Sequence, residues 1–162
     1  MLVKRNTTLL VWGLVFLIAA CTGGQQATKA AALRPQGEGS VEILVEGVSS
    51  DRGIVYGSVY LEPEGFPNDK NLAYTYAEVS ADSASDGSLR LNFPSIPAGW
   101  FVIAVLHDKN GDEKLSMNSL GIPKEKYGFS QNPESIFGPP AFDEAAIYLE
   151  SGETKQIVIS IE

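Results

Sequence analysis

Pro94-Ser95-Ile96-Pro97-Ala98-Gly99-Trp100-Phe101-Val102-Ile103-Ala104-Val105-Leu106 is the stretch that decides the fold. Two prolines and a glycine precede an unbroken apolar run. Proline fixes φ and lacks the N–H that a sheet interior requires, so Pro94 and Pro97 mark a tight crossing and not the middle of a strand. From Trp100 to Leu106 every position is apolar, which a strand supports when both of its faces are covered. A central, doubly covered strand is expected here, reached through a forced crossing.

Around it the pattern has period two, the mark of half-buried strands. In Val41-Glu42-Ile43-Leu44-Val45-Glu46 the odd positions are apolar and both glutamates face the other way. Ile54–Leu61 places Val55, Val59 and Leu61 on one face, Tyr74–Ala81 is a weaker strand, and Leu89–Phe93 alternates cleanly. Ala145–Glu150 and Gln156–Ile161 flank Ser151-Gly152-Glu153-Thr154, which reads as a hairpin loop. That makes about seven strands and no convincing helix: an all-β, Greek-key β-sandwich. The Pro97–Trp100 segment is similar to the Pro-x-Gly-x-Tyr approach of transthyretin-like and carboxypeptidase-regulatory-like sandwiches, and the strand number also suits an immunoglobulin-like one.

Between Leu106 and Phe142 lie about 35 residues without sustained periodicity, longer than compact domains carry unless the loop is functional or disordered. Leu120, Ile122, Tyr127, Phe129, Ile136, Phe137 and Phe142 give it apolar surface to fold back on the sandwich, and its glycines and prolines fix turns. One long ordered loop covering a sheet end or edge is expected. It opens on His107-Asp108-Lys109-Asn110-Gly111-Asp112. Asp108, Asn110 and Asp112 at alternate positions resemble the first half of a calcium loop, where oxygens converge on a hard cation. The glycine stands at loop position four instead of six, and Ser119 occupies position twelve, where a bidentate glutamate belongs. A metal-free Asx turn has the same composition.

His107 is the sole histidine, on the face of Phe101, Ile103 and Val105. As a general base it needs an orienting partner, yet neighbours along a strand point to opposite faces, which makes Asp108 a poor one. No Gly-x-Ser-x-Gly elbow and no second histidine for a zinc site occur. Lys124, Lys126 and Tyr127 suit an anion or a sugar, and Tyr127, Phe129, Phe137 and Phe142 either a stacking platform or a miniature core.

The N-terminus carries an address. Lys4 and Arg5 precede an apolar run, and Ile18-Ala19-Ala20-Cys21 ends it. A transmembrane helix needs roughly 20 apolar residues, and this run of about 13 suits a signal peptide better. The segment resembles the lipobox of bacterial lipoproteins, which implies cleavage before Cys21, lipid on its thiol, and a membrane anchor. Thr22 stands where an Asp would imply inner-membrane retention in a Gram-negative lipoprotein, so for a Gram-negative source the resemblance implies the outer membrane. Residues 1–20 are then the signal peptide, 21–39 a flexible tether, and 40–162 the sandwich domain. Loss of Lys4 and Arg5 leaves ten basic against twenty acidic residues, a net charge of −10. That disfavours nucleic acid as a partner. Cys21 is the single cysteine, so no internal disulfide forms and the fold rests on its apolar core.

Glu64-Gly65-Phe66-Pro67, His107–Asp112, Leu120-Gly121-Ile122-Pro123-Lys124-Glu125, Tyr127-Gly128-Phe129-Ser130 and Phe137-Gly138-Pro139-Pro140-Ala141-Phe142 together resemble the bacterial domain-of-unknown-function family 2141 (DUF2141). The resemblance spans roughly Val41 to Ile161 and implies an exported β-sandwich, with no reaction attached. Relatives often carry Asp where this chain has Ser116, which weakens a calcium reading. The expected function is a non-catalytic binding or structural module at the cell envelope. His107, Asp108, Asn110, Asp112, Tyr127 and Phe129 are its candidate contact residues, calcium at Asp108, Asn110 and Asp112 is the one cofactor the pattern admits, and an envelope protein or glycan is the partner. The alternative is a small envelope hydrolase with His107 as general base.

Overall fold

The computed structural model describes residues 36–49, 52–134 and 138–162. The lipobox, most of the tether, and Ile136 and Phe137 of the long loop lie outside them. Eight strands form two sheets: β1 (Glu38–Glu46), β2 (Ile54–Tyr60), β3 (Thr75–Ser80), β4 (Ser88–Pro97), β5 (Gly99–Asp108), β6 (Lys126–Phe129), β7 (Ile147–Leu149) and β8 (Thr154–Ser160). A single helical turn, α1 (Phe142–Ala145), precedes β7. One sheet has the order β4-β1-β8, the other β3-β2-β5-β6, with β7 also paired to β5. The expected all-β sandwich is the fold observed.

The core lies between the sheets. Val41, Ile43, Val45, Leu91 and Phe93 face Val55, Val59, Phe101, Ile103 and Val105, each at most 2% exposed. Burying a side chain of this kind contributes about 1.5–3 kcal/mol. These are the residues that the period-two pattern places inward, and Glu42, Arg90 and Asn92 alternate outward.

β4 and β5 belong to different sheets, so Pro97-Ala98-Gly99 carries the chain across the sandwich, as Pro97 predicts; Pro94 instead lies inside β4, where a shift of register against β1 accommodates a residue without an N–H. Gly99 turns there with φ 120°, a region that side chains avoid. The last pair of strands differs from expectation. β7 joins β5, whereas β8 joins β1 in parallel. Ser151-Gly152-Glu153 is therefore a further crossing between sheets and not a hairpin. Turn chemistry alone does not reveal which sheet the next strand enters.

β5 is covered on both faces from Phe101 onward, as its composition requires. The outer face of β5 meets a second apolar cluster of Val102, Phe129 and Ala145, with Phe66, Ala104, Tyr127 and Phe142 packed on it. Trp100 departs from the expectation and is 59% exposed, because this outer cluster does not reach it. Phe66 makes edge-on contacts with Tyr60, Phe129 and Phe142 at 5.6, 5.5 and 5.9 Å. Ser130, fully buried, accepts from the Ile103 N–H and donates to the Ala145 carbonyl, tying α1 to the sheet. The strand beyond the seven expected is β6, inside the long loop; four residues are too few for alternation to announce it.

Candidate functional site

The loop after β5 is built around two buried carboxylates. Asp108 is 1% exposed. One of its oxygens accepts the Asn110 and Gly111 N–H groups at 3.1 and 2.7 Å, and the other accepts the Glu113 N–H at 2.8 Å. This is the Asx turn that the Asp-x-Asn-Gly spacing predicts. Glu125, at the far end of the loop, is 7% exposed and accepts the N–H groups of Lys109 and Ser116, each at 2.9 Å. Charge-assisted bonds of this kind are about twice as strong as neutral ones, so Glu125 pins the returning loop onto its own beginning. Gly53 lies against this turn with φ 99°, where an added Cβ would strike the Asp108 carbonyl oxygen.

Oxygens of Asp108, Asp112 and Glu125 converge within 4.8 Å of one another. Asn110 donates its side-chain amide to Asp112 and Ser116, and the Ser116 hydroxyl donates to Asp112. The exposed Asp112 carboxyl is held below its ordinary pKa, first by the Asn110 amide and then by the Lys114 N–H. All donors are hard oxygens, the set a calcium ion takes. Glu125 was not among the expected ligands: the third carboxylate of the cluster comes from the far end of the loop and not from Ser119. Its place beside the turn residues Gly121 and Pro123 was the only hint.

His107 does not join the site. Its ring is fully buried, Nε2 lies 3.0 Å from the Arg52 carbonyl, and Nδ1 has no hydrogen-bond partner among the described residues. A sealed ring offers nothing to an external partner. Phe129 is likewise a member of the outer apolar cluster, 7% exposed, with Tyr127 edge-on to it at 5.6 Å. For Phe129 the structure shows the miniature core rather than a stacking platform; Tyr127 stays half-buried.

The apolar residues that the loop does present are others. Met117, Leu120 and Ile122 are 48%, 81% and 55% exposed, so Leu120 and Ile122 do not fold back on the sandwich. Asn118 fixes their turn, its side-chain oxygen accepting from the N–H groups of Leu120 and Ile122. Beside them runs an open cavity of about 440 Å³, lined by Pro67, Leu115, Met117, Ile122, Pro123 and Tyr127 among others. The segment across the sheet face is latched to the loop by Lys70, whose ammonium pairs with Glu113 and lies 4.9 and 5.2 Å from the Tyr56 and Tyr76 ring centres. Glu113 holds the Lys70 ammonium above its ordinary pKa.

A family model described as "Uncharacterized protein conserved in bacteria (DUF2141)" matches residues 43–157. All five motifs named above, from Glu64 to Phe142, lie inside that range. No curated protein and no solved structure matches the chain.

Proposed function

This chain belongs to the DUF2141 family of bacterial proteins, and on that premise we propose that it is a lipid-anchored envelope protein whose sandwich is a non-catalytic binding module. The observation that carries the reading is the pinned loop: two buried carboxylates fix a backbone whose Met117, Leu120 and Ile122 side chains project into solvent. Apolar groups held outward on a rigid scaffold mark an interaction surface. They offer no hydrogen bonds to a glycan, so the partner that fits is an apolar protein surface in the envelope. The Ile18–Cys21 lipobox supplies the address. Burial of His107 removes the support for a hydrolase reading, since a general base must reach a substrate proton.

A photoreactive side chain at position 120, used in growing cells, tests the surface. A discrete protein adduct is expected, lost on Ile122→Asp and kept on Val158→Asp, which alters the other sheet. An adduct indifferent to Ile122→Asp would sink the reading.

A second reading concerns the same loop. The convergence of Asp108, Asp112 and Glu125 favours a calcium ion that stiffens it, with Asn110 and Ser116 beside them as further oxygen donors.

A further inference from the structure

Cover on the outer face of β5 stops abruptly. Val102 is fully buried beneath the outer apolar cluster, yet Trp100, two residues earlier on the same face, is 59% exposed. Its one aromatic neighbour among the described residues is Tyr148 of the paired strand β7, edge-on at 5.2 Å. A large indole left in solvent loses the burial energy that the rest of the strand gains.

The position of this pair in the fold gives it a meaning. The Ala98 N–H donates to the Gly37 carbonyl at 2.9 Å, and the Gly152 N–H donates to the Glu38 carbonyl at 2.8 Å. Trp100 and Tyr148 therefore sit at the end of the sandwich where the chain from Cys21 enters. Gln36 follows Cys21 by fifteen positions, a reach of at most about 50 Å at ~3.3 Å per residue. The sandwich is thus kept beside the bilayer, and it has this end available to turn toward it. Indole and phenol rings are the side chains that settle at the boundary between lipid and water.

We propose that Trp100 and Tyr148 form a membrane-interface contact that docks the sandwich, tether end down, on a zwitterionic lipid surface. The proposal rests on the lipid-anchor reading of Cys21. It commits to zwitterionic lipid because the same end carries Glu38, Glu150 and Glu153, with Lys155 pairing Glu153, an acidic set that an anionic surface repels. Docking in this pose leaves Met117, Leu120 and Ile122 free for a partner, because they belong to the long loop and not to this end.

Trp100 is the only tryptophan after Cys21, since Trp12 precedes it. The protein purified from membranes is first weighed intact, then placed in phosphatidylcholine vesicles with or without acyl-brominated lipid. With the lipid on Cys21 confirmed, brominated lipid is expected to quench Trp100 emission, because a ring at the interface meets the acyl chains. A tryptophan moved by Val158→Trp on a Trp100→Phe background, on the opposite sheet, should keep its emission. Tyr148→Ser should weaken quenching in the otherwise unchanged protein. Lipidated protein whose Trp100 is no more quenched than the tryptophan at 158 overturns the docking proposal alone. A mass showing an unlipidated chain overturns the anchor reading and docking with it.

Discussion

Glu125 accepts the backbone N–H of Lys109 at 2.9 Å across sixteen positions of sequence. With the Ser116 N–H on its other oxygen, it closes the loop from Asp108 to Glu125 into a ring of backbone donors around two buried carboxylates. The exposed side chains of Met117, Leu120 and Ile122 owe their fixed placement to this closure.

Removal of that carboxylate should be felt as lost stability. Glu125→Ala strands two N–H groups and is expected to cost about 3–6 kcal/mol, since hydrogen bonds to charged groups contribute about 1.5–3 kcal/mol each. Glu125→Gln keeps one acceptor and should cost about half as much. Urea unfolding of the three proteins gives the comparison, and equal midpoints would show that the loop is not held this way.

Calcium should raise the melting temperature if it binds the convergent oxygens. A ligand of the folded state at a hundred times its Kd stabilises by about 2.7 kcal/mol. The shift between millimolar calcium and chelator should vanish in Asp112→Asn, which leaves the buried Asp108 and Glu125 in place. A wild-type melting temperature identical in both buffers removes the calcium reading and leaves the metal-free turn.

Tyr60 gives the fold an alkaline limit. Its ring is 1% exposed, and its phenol pKa is raised from 10.0 to about 12, first by burial and then by the Asp69 carboxylate. The folded state therefore holds the proton more tightly than the unfolded chain, so stability is intact below pH 10 and falls as pH rises toward 12. The loss should reach about 2–3 kcal/mol at about 1.4 kcal/mol per pH unit. Tyr60→Phe, which gives up a 3.3 Å bond to the Pro67 carbonyl and the hydrogen bond with the Ser58 side chain, should flatten this decline. Unfolding free energies at about pH 9 and 11.5, either side of the tyrosine range, check it, and an equally steep decline in Tyr60→Phe would refute it.

Gly128 marks where β6 meets β8. A Cβ there would strike the Ser160 carbonyl oxygen, and the backbones of Tyr127 and Glu162 exchange hydrogen bonds alongside. Gly128→Ala must push backbone aside and should cost about 1–3 kcal/mol. Gly57→Ala meets Leu91 Cδ1 at 2.8 Å, the mobile end of a side chain, and should cost less. Thermal melts of the two variants rank them, and the reverse order would contradict the packing described.

Much of the sandwich was legible because its signals are local. Alternation in Val41–Glu46 and Leu89–Phe93 selects the inward face whatever the partner strand, and Pro97 and Gly99 turn the chain by their own dihedrals, whereas Pro94 is accommodated inside β4 where its register with β1 shifts. The Asx turn at Asp108 was legible for the same reason. β6 was not, because a four-residue strand is defined by the partner it pairs with. Glu125 escaped notice because nothing in its own neighbourhood says that a carboxylate 17 positions after Asp108 returns to it. Phe129 reads equally well as core or platform until Phe66 and Phe142, from two distant segments, are seen against it.

By itself, then, the sequence determined the fold class, the strands with long alternation, the central place of β5 and the crossing into it. Dihedral limits and side-chain period act over a few residues and leave their trace there. Only the tertiary structure decided that β7 and β8 part company, that His107 is sealed, that Glu125 meets Asp108, and that Trp100 is left bare beside the start of β1. Each of these depends on which remote segment arrives at a given surface, and burial is set by that arrival rather than by the identity of the residue.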